Sequence, residues 1–410
     1  MGLTKVQNTI ILVLFLLRFF GLKGMTSDFW DYIFVFILVT ATLPVITYRC
    51  EYVKLILCYV FFVLLSCVYS WLFNFQSFNR VFFHSVDYFS LLFFFYLIRR
   101  NLTSNETLKV IKIISICFCA GYIIQWLAYP NIIFSGAMDD LNINEYQYRA
   151  RMPGSICCYF MLLYAINRYL LVRDIKYVVY GILGFIPIII QGFRSLVVMA
   201  VISSFLIIPF VLRSGKKVVF YSLLCISVFY AAFTTDLVQQ KIEEMNKRQT
   251  DEQTFDNEDY IRWLSLDYYW NQQFTKPYEK FLGGGKPVDP QSKYTKNINI
   301  ARMHFNFFWR DLGLIGLSMV IGVPAVILLV LMYIRCMWKC REPQIQFVRF
   351  TLLVVLVGSI FTSAELYRDG NILIFSLFAY LEYKYHQENN SKECLRRMID
   401  SKFLIDNSRK

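Results

Sequence analysis

The sequence predicts an all-α integral membrane protein with about twelve transmembrane helices. Hydrophobic residues make up 57% of the 410 residues and charged residues 17%, whereas soluble domains carry ~25% charged residues. Apolar runs of about 17–25 residues, long enough to cross a bilayer, recur from one end of the chain to the other. A soluble chain could bury one or two such runs in its core, but not this many.

The apolar runs are continuous and do not alternate with polar residues, so they predict helices and exclude a transmembrane barrel. The predicted spans are 6–22, 30–47, 52–73, 80–98, 110–128, 153–172, 177–191, 195–212, 217–234, 312–334, 347–363 and 371–385. The chain therefore divides into helices over 1–233, a long external segment with short helices over 234–305, helices over 306–385 and a tail over 386–410.

The positions of lysine and arginine predict the orientation of these helices. Basic residues concentrate in one set of alternate short loops, for example at Arg99, Arg100, Lys109 and Lys112, and the opposite set holds few. The rule that cytoplasmic loops are positive places both termini in the cytoplasm. The net charge of +13 lies mainly on that face, where topology and anionic lipid explain it. We therefore expect membrane lipid, and no nucleic acid, as a partner.

The cysteines and acidic residues do not predict a metal or a cofactor. The external segment 234–305 contains none of the 11 cysteines, so no disulfide framework holds it. Cys336 and Cys340 form a CxxxC pattern in a cytoplasmic loop, which is too few ligands for a zinc site. No pair of acidic residues is spaced to hold a metal at the external side.

Three external stretches face the same side of the membrane and can build one site. They are the loop 129–152, the tight turn "QGFRS" at 191–195 and the segment 234–305. Within the last, "DNEDYIRWLSLDYYWNQQF" predicts a helix that Pro277 ends. The stretch "DPQSKYTKNINI" at 289–300 is expected to be mobile, since a loop as long as this external segment is usually functional or disordered.

Several external arginines are candidates for anion binding. Arg194 follows a short span, and a charge at this depth is costly unless it pairs or faces a watery cavity. The alternative is an interfacial arginine that reaches lipid phosphates. For Arg262 the alternative is a helical ion pair with Glu258, four residues earlier. Arg149 and Arg151 lie at the external end of the next span, where anchoring at the interface is the alternative.

Of the three histidines, only His304 faces outward beside polar loops. His84 is expected to pair with Asp87 inside the bundle, and His386 lies on the tail. A lone histidine is more often structural, but an imidazole at the membrane surface suits general base catalysis. Arginines bind phosphate groups through two hydrogen bonds, aromatic rings stack on sugars, and an apolar bundle accommodates a lipid tail. This combination predicts an enzyme that handles a lipid-linked pyrophosphoryl sugar at the outer leaflet.

Three motifs in the same order resemble the O-antigen polymerase and O-antigen ligase superfamily of bacterial inner membranes. The stretch "QGFRSLVVMA" (191–200) is similar to the family's Gly-x-Arg-Ser turn and following helix. The stretch "RWLSLDYYWNQQFTKPYEKFLGGG" (262–285) is similar to its long periplasmic loop, and "HFNFFWRDLGLIGL" (304–317) to the opening of its next helix. The layout agrees over most of the chain, although the first five spans match by hydropathy only.

The resemblance implies transfer of a glycan from undecaprenyl pyrophosphate to an acceptor hydroxyl at the periplasmic face, without metal. Arg194 and Arg262 would grip the pyrophosphate and stabilise its charge as it leaves. His304 would orient or deprotonate the acceptor hydroxyl. Gly283, Gly284 and Gly285 would let the loop approach the substrate closely.

One departure concerns Asn306. The family pattern has histidine followed directly by asparagine, whereas Phe305 separates His304 from Asn306 here. The equivalence of Asn306 as a substrate-binding residue is therefore open. Arg310 and Asp311 lie near the same rim and either supplement the site or pair with each other.

The resemblance favours a polymerase, which joins lipid-linked repeat units, over a ligase, which hands finished polysaccharide to lipid A-core. The basic external loop 129–152, with Arg149 and Arg151, resembles the polymerase arrangement, and polymerases vary more in sequence. A chain-length regulator is then an expected partner. A flippase or another transporter stays open, although transporters keep their polar groups near the midplane and have short loops. A membrane acyltransferase is weaker, because only His84 lies deep in the bundle.

Overall fold

The computed structural model describes residues 4–22, 32–33, 36–38, 40, 52–100, 102–129, 131–134, 152, 154–191, 194–235, 238–240, 243, 261–361 and 370–385. In this part of the chain every regular element is a helix, and the only extended pairing is an isolated bridge between Leu22 and Phe134. The prediction of an all-α protein is confirmed for these residues.

The helices are numbered in chain order over the described residues. The first half forms α1 (Lys5–Leu16), α2 (Val53–Phe73), α3 (Phe78–His84), α4 (Val86–Arg100), α5 (Ser104–Leu127), α6 (Ile156–Val172), α7 (Lys176–Ile190), α8 (Arg194–Val211) and α9 (Gly215–Phe233). The second half forms α10 (Ile261–Asp267), α11 (Pro277–Leu282), α12 (Lys293–Phe305), α13 (Gly313–Ile321), α14 (Val323–Lys339), α15 (Gln346–Phe361) and α16 (370–385).

Several of these helices can cross a membrane by length and composition. Within the described residues α2, α5 and the stretch Pro343–Ile360, which includes most of α15, are long and apolar enough, and α3 with α4 adds a fourth if this bent pair is one span. Shorter apolar helices include α1, α6 and α7. These helices are consistent with an integral membrane protein, but the three or four candidate spans among the described residues are fewer than the twelve predicted.

Helix α6 lies at the centre of the bundle and is buried along most of its length. It packs against α5, α7, α8 and α15. Its aromatic rings interlock with the start of α15, where Phe160 and Tyr164 lie 5.7 and 5.2 Å from the ring of Phe347. Gly184 of α7 approaches α6 closely, since a methyl group there would lie 2.7 Å from the Leu162 amide.

The predicted span 80–98 is bent by 48° between α3 and α4. The Tyr88 amide donates to the Ser85 carbonyl, 2.9 Å away. The His84 carbonyl accepts a hydrogen bond from Lys286 Nζ at 2.8 Å. Asp87 forms an ion pair with Lys286 at 2.9 Å, and its expected pairing with His84 stays a prediction.

The predicted span 312–334 is broken between α13 and α14. Gly322 has a φ of +86°, which ends α13, and Pro324 lies in the first turn of α14. Glycine adopts this left-handed conformation at no steric cost, and proline fixes a helix start but carries no N–H. The break therefore leaves carbonyl groups at the end of α13 without their usual helical donors.

Two expectations for the segment 234–305 need correction. The stretch 289–300, expected to be mobile, begins helix α12, with the Ser292 side chain capping its first turn. Pro277, expected only to end a helix, begins α11. The helix predicted over 256–274 is described from Ile261 onward, as α10 followed by a π-helical turn at Tyr268–Gln273. Most of the predicted span 30–47, and the tail 386–410, lie outside the described residues.

Gly316 and Gly358 provide a test of how tightly α13 is packed. A methyl group on Gly316 would collide with the Trp309 carbonyl, whereas one on Gly358 of α15 would meet nothing within 4 Å. We expect Gly316→Ala to destabilise the protein by ~1–3 kcal/mol through overpacking. Gly358→Ala should be neutral or stabilising by up to ~1 kcal/mol, because alanine favours helices. Thermal unfolding in detergent measures both, and equal midpoints for the two variants would contradict this packing.

Candidate functional site

His304 lies in the last turn of helix α12, and its side chain is exposed. The helix ends because Asn306 adopts a left-handed conformation with φ +55° and donates its amide to the Ala301 carbonyl. Asparagine tolerates this conformation better than most residues, so the helix cap accounts for its presence. Its predicted contact with substrate stays a prediction.

Arg262 belongs to a small substructure that packs beside the end of α12. Its helix α10 contacts the short 3₁₀ turn Trp309–Leu312. The following π turn is tied to the same region, since Tyr269 Oη donates to the Phe307 carbonyl at 2.8 Å. Arg262 is half-buried, and its expected alternative partner Glu258 lies outside the described residues. The structure thus brings the helix of Arg262 and the segment 304–312 together.

Arg310 lies at the start of the turn that leads into α13. Its guanidinium carbon is 5.5 Å from the ring centre of Trp309, which is a cation–π contact. The turn is pressed against the end of α15, because a methyl group on Gly313 would collide with the Ser359 and Ile360 carbonyls. Arg310 is exposed. It is therefore presented at the same surface as the end of α12.

Arg194 is the first residue of α8, which runs antiparallel to α15. Near the C-terminal end of α8, Phe210 packs on Phe350, with ring centres 5.4 Å apart, close to the beginning of α15. The Arg194 end of α8 therefore lies toward the Phe361 end of α15, where Gly313 packs. The fold places Arg194 at the same end of the bundle as Arg310 and His304. We call this the His304 end.

Arg149 and Arg151 lie outside the described residues. The helix that follows them, α6, begins at the His304 end, because Cys158 near its start accepts from Gln191 Nε2 at 3.9 Å. Gln191 directly follows α7, three residues before Arg194. The role predicted for Arg149 and Arg151 stays a prediction.

Gly283, Gly284 and Gly285 are buried against the break between α13 and α14. The Gly284 amide donates to the Met319 carbonyl at 2.7 Å, and the Gly285 amide to the Val320 carbonyl at 3.0 Å. These carbonyls are the ones that the helix break leaves without donors, and Val320 would otherwise require an N–H from Pro324. The glycines supply backbone hydrogen bonds in place of the broken helix.

Only glycine fits these three positions. An added methyl group would lie 2.5 Å from the Gly322 amide nitrogen at Gly283, 2.5 Å from the Tyr294 hydroxyl at Gly284 and 2.6 Å from Ser70 at Gly285. Gly283 and Gly285 also have φ values of +76° and +74°. The close approach that these glycines allow is to the protein's own backbone at Gly322 and to the side chains of Tyr294 and Ser70. Contact with substrate stays a prediction.

Polar residues that the sequence analysis did not single out fix the same segment to the first half of the bundle. Asp289 accepts from the Ser77 amide at 2.8 Å and from Arg80 at 3.3 Å. These contacts and the Gln291 amide, with the Ser77 amide as the largest cause, hold the pKa of the Asp289 carboxyl below its usual value. Asn74 Nδ2 donates to the Gly284 carbonyl at 2.9 Å. One signal was available in the sequence, namely the polar run that directly follows the apolar run of α2.

The surface around His304 combines cations with exposed apolar side chains. Met303 and Phe305 are 70% and 56% exposed, and Trp263 of α10 is 57% exposed. Arg302, His304 and Arg310 are exposed beside them. Guanidinium groups recognise phosphate groups, and exposed aromatic rings contact sugars or a membrane interface.

No protein-family model matches the sequence, and no curated protein matches it. The function of this chain must therefore be inferred from the arrangement of its own residues and from its sequence motifs.

The lowered pKa of Asp289 predicts that the stability of the protein depends on pH. Because its folded pKa lies below the usual carboxyl value of 3.8, its contribution is complete above that pH and is lost as the pH falls through the folded pKa. We expect Asp289→Asn to lower the thermal midpoint at neutral pH, and this difference to shrink below about pH 4. Thermal unfolding of both proteins between about pH 7 and pH 3 measures it. A constant difference over this range would contradict the prediction.

Proposed function

We propose that this chain is a membrane glycosyltransferase that polymerises lipid-linked repeat units of an O-antigen or a related surface polysaccharide. The donor would be a glycan on undecaprenyl pyrophosphate, and the acceptor a sugar hydroxyl of a second lipid-linked unit. The observation that carries the proposal is the common location of His304, the helix of Arg262, Arg310 and the start of α8 at Arg194. These residue types match an imidazole base beside a site for a large anion.

The proposed roles follow from the chemistry of the transfer. The acceptor oxygen forms a bond to the anomeric carbon, the bond from that carbon to the pyrophosphate breaks, and its electron pair leaves with the pyrophosphate. His304 takes the proton of the acceptor hydroxyl. Arg194 and Arg262 stabilise the charge that develops on the pyrophosphate. Arg149, Arg151 and Arg310 bind the charged or polar parts of the substrates.

The proposal includes a topology of about twelve spans with both termini in the cytoplasm of a bacterium. The segment 234–305 then lies in the periplasm, and the His304 end faces outward. Support comes from the coincidence of predicted spans with helices, for example 52–73 with α2, 177–191 with α7 and 195–212 with α8. A chain-length regulator is the expected protein partner, on the basis of the resemblance alone.

A second candidate, a lipid-linked-sugar transporter, has one observation in its favour. Among the described residues two predicted spans are interrupted, 80–98 between α3 and α4 and 312–334 at Gly322, and the Lys286–Asp87 ion pair lies between α3 and α4. Interrupted helices with charged residues are typical of transporter binding sites. The ligase alternative shares the proposed residues and differs in its acceptor.

Replacement of His304 tests the proposed base. In cells that make the glycan, we expect His304→Ala to slow polymerisation by about 10²–10⁴-fold, the usual contribution of a general base. A single-repeat band on a gel should then replace the glycan ladder. Met303→Ala is the matched control, because Met303 is the neighbouring exposed residue on the same helix. Protein level is measured in parallel.

The other outcomes separate the alternatives. Loss of all surface glycan, with long polymer still on the lipid carrier, would identify a ligase. An unchanged ladder at a normal protein level would contradict the role of His304. Accumulation of repeat units that stay inaccessible from outside the membrane would favour the transporter.

Replacement of Arg194 tests the proposed anion site. We expect Arg194→Ala to slow polymerisation by about 10²–10³-fold, the range for loss of one preorganised donor to a developing negative charge. Arg213→Ala is the matched control, because Arg213 is an exposed arginine just beyond the opposite end of α8. Equal ladders from the two variants would show that the position of Arg194 has no special role in the transfer.

A further inference from the structure

Gln76 is a buried side chain that joins the first half of the bundle to the segment before α12. It is 1% exposed. Its Nε2 donates to Ser70 Oγ at 2.7 Å and to the Lys286 carbonyl at 3.2 Å. Its Oε1 accepts from the amides of Val288 and Asp289 at 3.0 and 3.1 Å. Both groups of the amide are therefore used in holding this segment.

The same oxygen also reaches the first turn of α12. Thr295 Oγ1 donates to Gln76 Oε1 at 3.0 Å. Thr295 belongs to the helix cap, since its amide donates to Ser292 Oγ at 3.1 Å. One carbonyl oxygen thus fixes both the residues that lead into α12 and the turn that begins it.

The turn that carries Gln76 is held in a conformation that its sequence disfavours. Phe75 has a φ of +51°, and its side chain is 81% exposed. A bulky residue rarely adopts this conformation unless its surroundings impose it. The flanking side chains of Asn74 and Gln76 both bind the glycine segment or the residues that follow it. These contacts hold the turn in this conformation, and this conformation directs the Gln76 side chain into the bundle.

Because α12 is long, a small change in its direction at the attached end changes the position of His304. Thr295 and His304 are nine residues apart, which corresponds to about 14 Å along the helix axis. A tilt of roughly 4° about the attached end would move the imidazole by about 1 Å. A misplacement of that size costs about 10²-fold in rate when it affects a reacting group.

We propose that Gln76 is a positioning residue of the candidate site, because its amide sets the direction of α12 and thereby the location of His304. The proposal rests on the proposed function, in which His304 is the base. Gln76 itself touches no reacting atom and acts through α12.

Substitutions of nearly equal volume separate hydrogen bonding from packing. Gln76→Met fills the same space but accepts no strong hydrogen bond, whereas Gln76→Glu keeps an acceptor for Val288, Asp289 and Thr295. The matched control is Gln125→Met. Gln125 is also a buried amide, 0% exposed, whose Oε1 accepts from the amides of Ile133 and Phe134 at 2.8 and 2.9 Å. It holds a different loop, at the end of α5.

Hydrogen exchange of the full-length protein in lipid nanodiscs measures the attachment without any substrate. In Gln76→Met we expect the amides of Val288 and Asp289 and the first turns of α12 to lose protection. Gln76→Glu should retain most of it. Gln125→Met should expose residues 131–134 and leave α12 unchanged. Unchanged exchange over 286–305 in Gln76→Met would overturn the proposal.

Activity in proteoliposomes separates positioning from general stability. The probe is the undecaprenyl-pyrophosphate-linked repeat unit extracted from cells that make the glycan. We expect Gln76→Met to lower kcat by about 10²-fold, to leave KM within about twofold of the wild type, and to be partly rescued in Gln76→Glu. Wild-type kcat in Gln76→Met, despite lost protection in α12, would overturn the positioning role.

Failure of the proposed function and failure of the role of Gln76 give different results. If the wild-type protein forms no polymer from this probe, or if His304→Ala is fully active, the proposed function fails, and with it the role of Gln76 in the transfer. The exchange pattern alone still decides whether Gln76 fixes α12.

Discussion

Two carbonyl groups at the end of α13 impose the central constraint on this structure. Gly322 breaks the helix, and Pro324 has no N–H to offer the Val320 carbonyl. Met319 and Val320 are buried, and a buried carbonyl without a hydrogen-bond partner costs roughly 2–7 kcal/mol. The amides of Gly284 and Gly285, with Ser66 Oγ at 2.6 Å from the Val320 oxygen, provide the missing donors. The glycine segment must therefore enter the bundle for the broken helix to be stable.

The entry of this segment determines the positions of its neighbours. Lys286 follows the glycines directly and reaches the interruption between α3 and α4, where its ammonium group binds the His84 carbonyl and Asp87. Three residues later Asp289 binds the start of α3 through the Ser77 amide. Helix α12 begins at once after these contacts. The residues that lead into α12, the helix of His304, are thus attached to helices from both halves of the chain.

Hydropathy predicted helices such as α2, α7 and α8, because a continuous apolar run in a membrane leaves the backbone no other way to satisfy its polar groups. Hydropathy did not reveal the interruption at Gly322, since the residues on both sides are equally apolar. The attachment of 289–300 was missed because its partners, Gln76 and Ser77, lie more than 200 positions away in the chain. Chain order alone brought His304, Asn306 and Arg310 together, whereas their location at the same end of the bundle as Arg194 required the antiparallel packing of α8 and α15.

The two interruptions also bear on the choice between enzyme and transporter. Alternating access requires one part of the bundle to move against another around a fixed site. Here both interruptions are bonded to the same segment, and that segment contains positions where even a methyl group would collide with its surroundings. Movement of α13 against α2 would break the hydrogen bonds that satisfy the interrupted backbone, with no replacement in an apolar medium. A rigid scaffold of this kind suits a catalytic base that must be held within a fraction of an ångström, and so favours the enzyme.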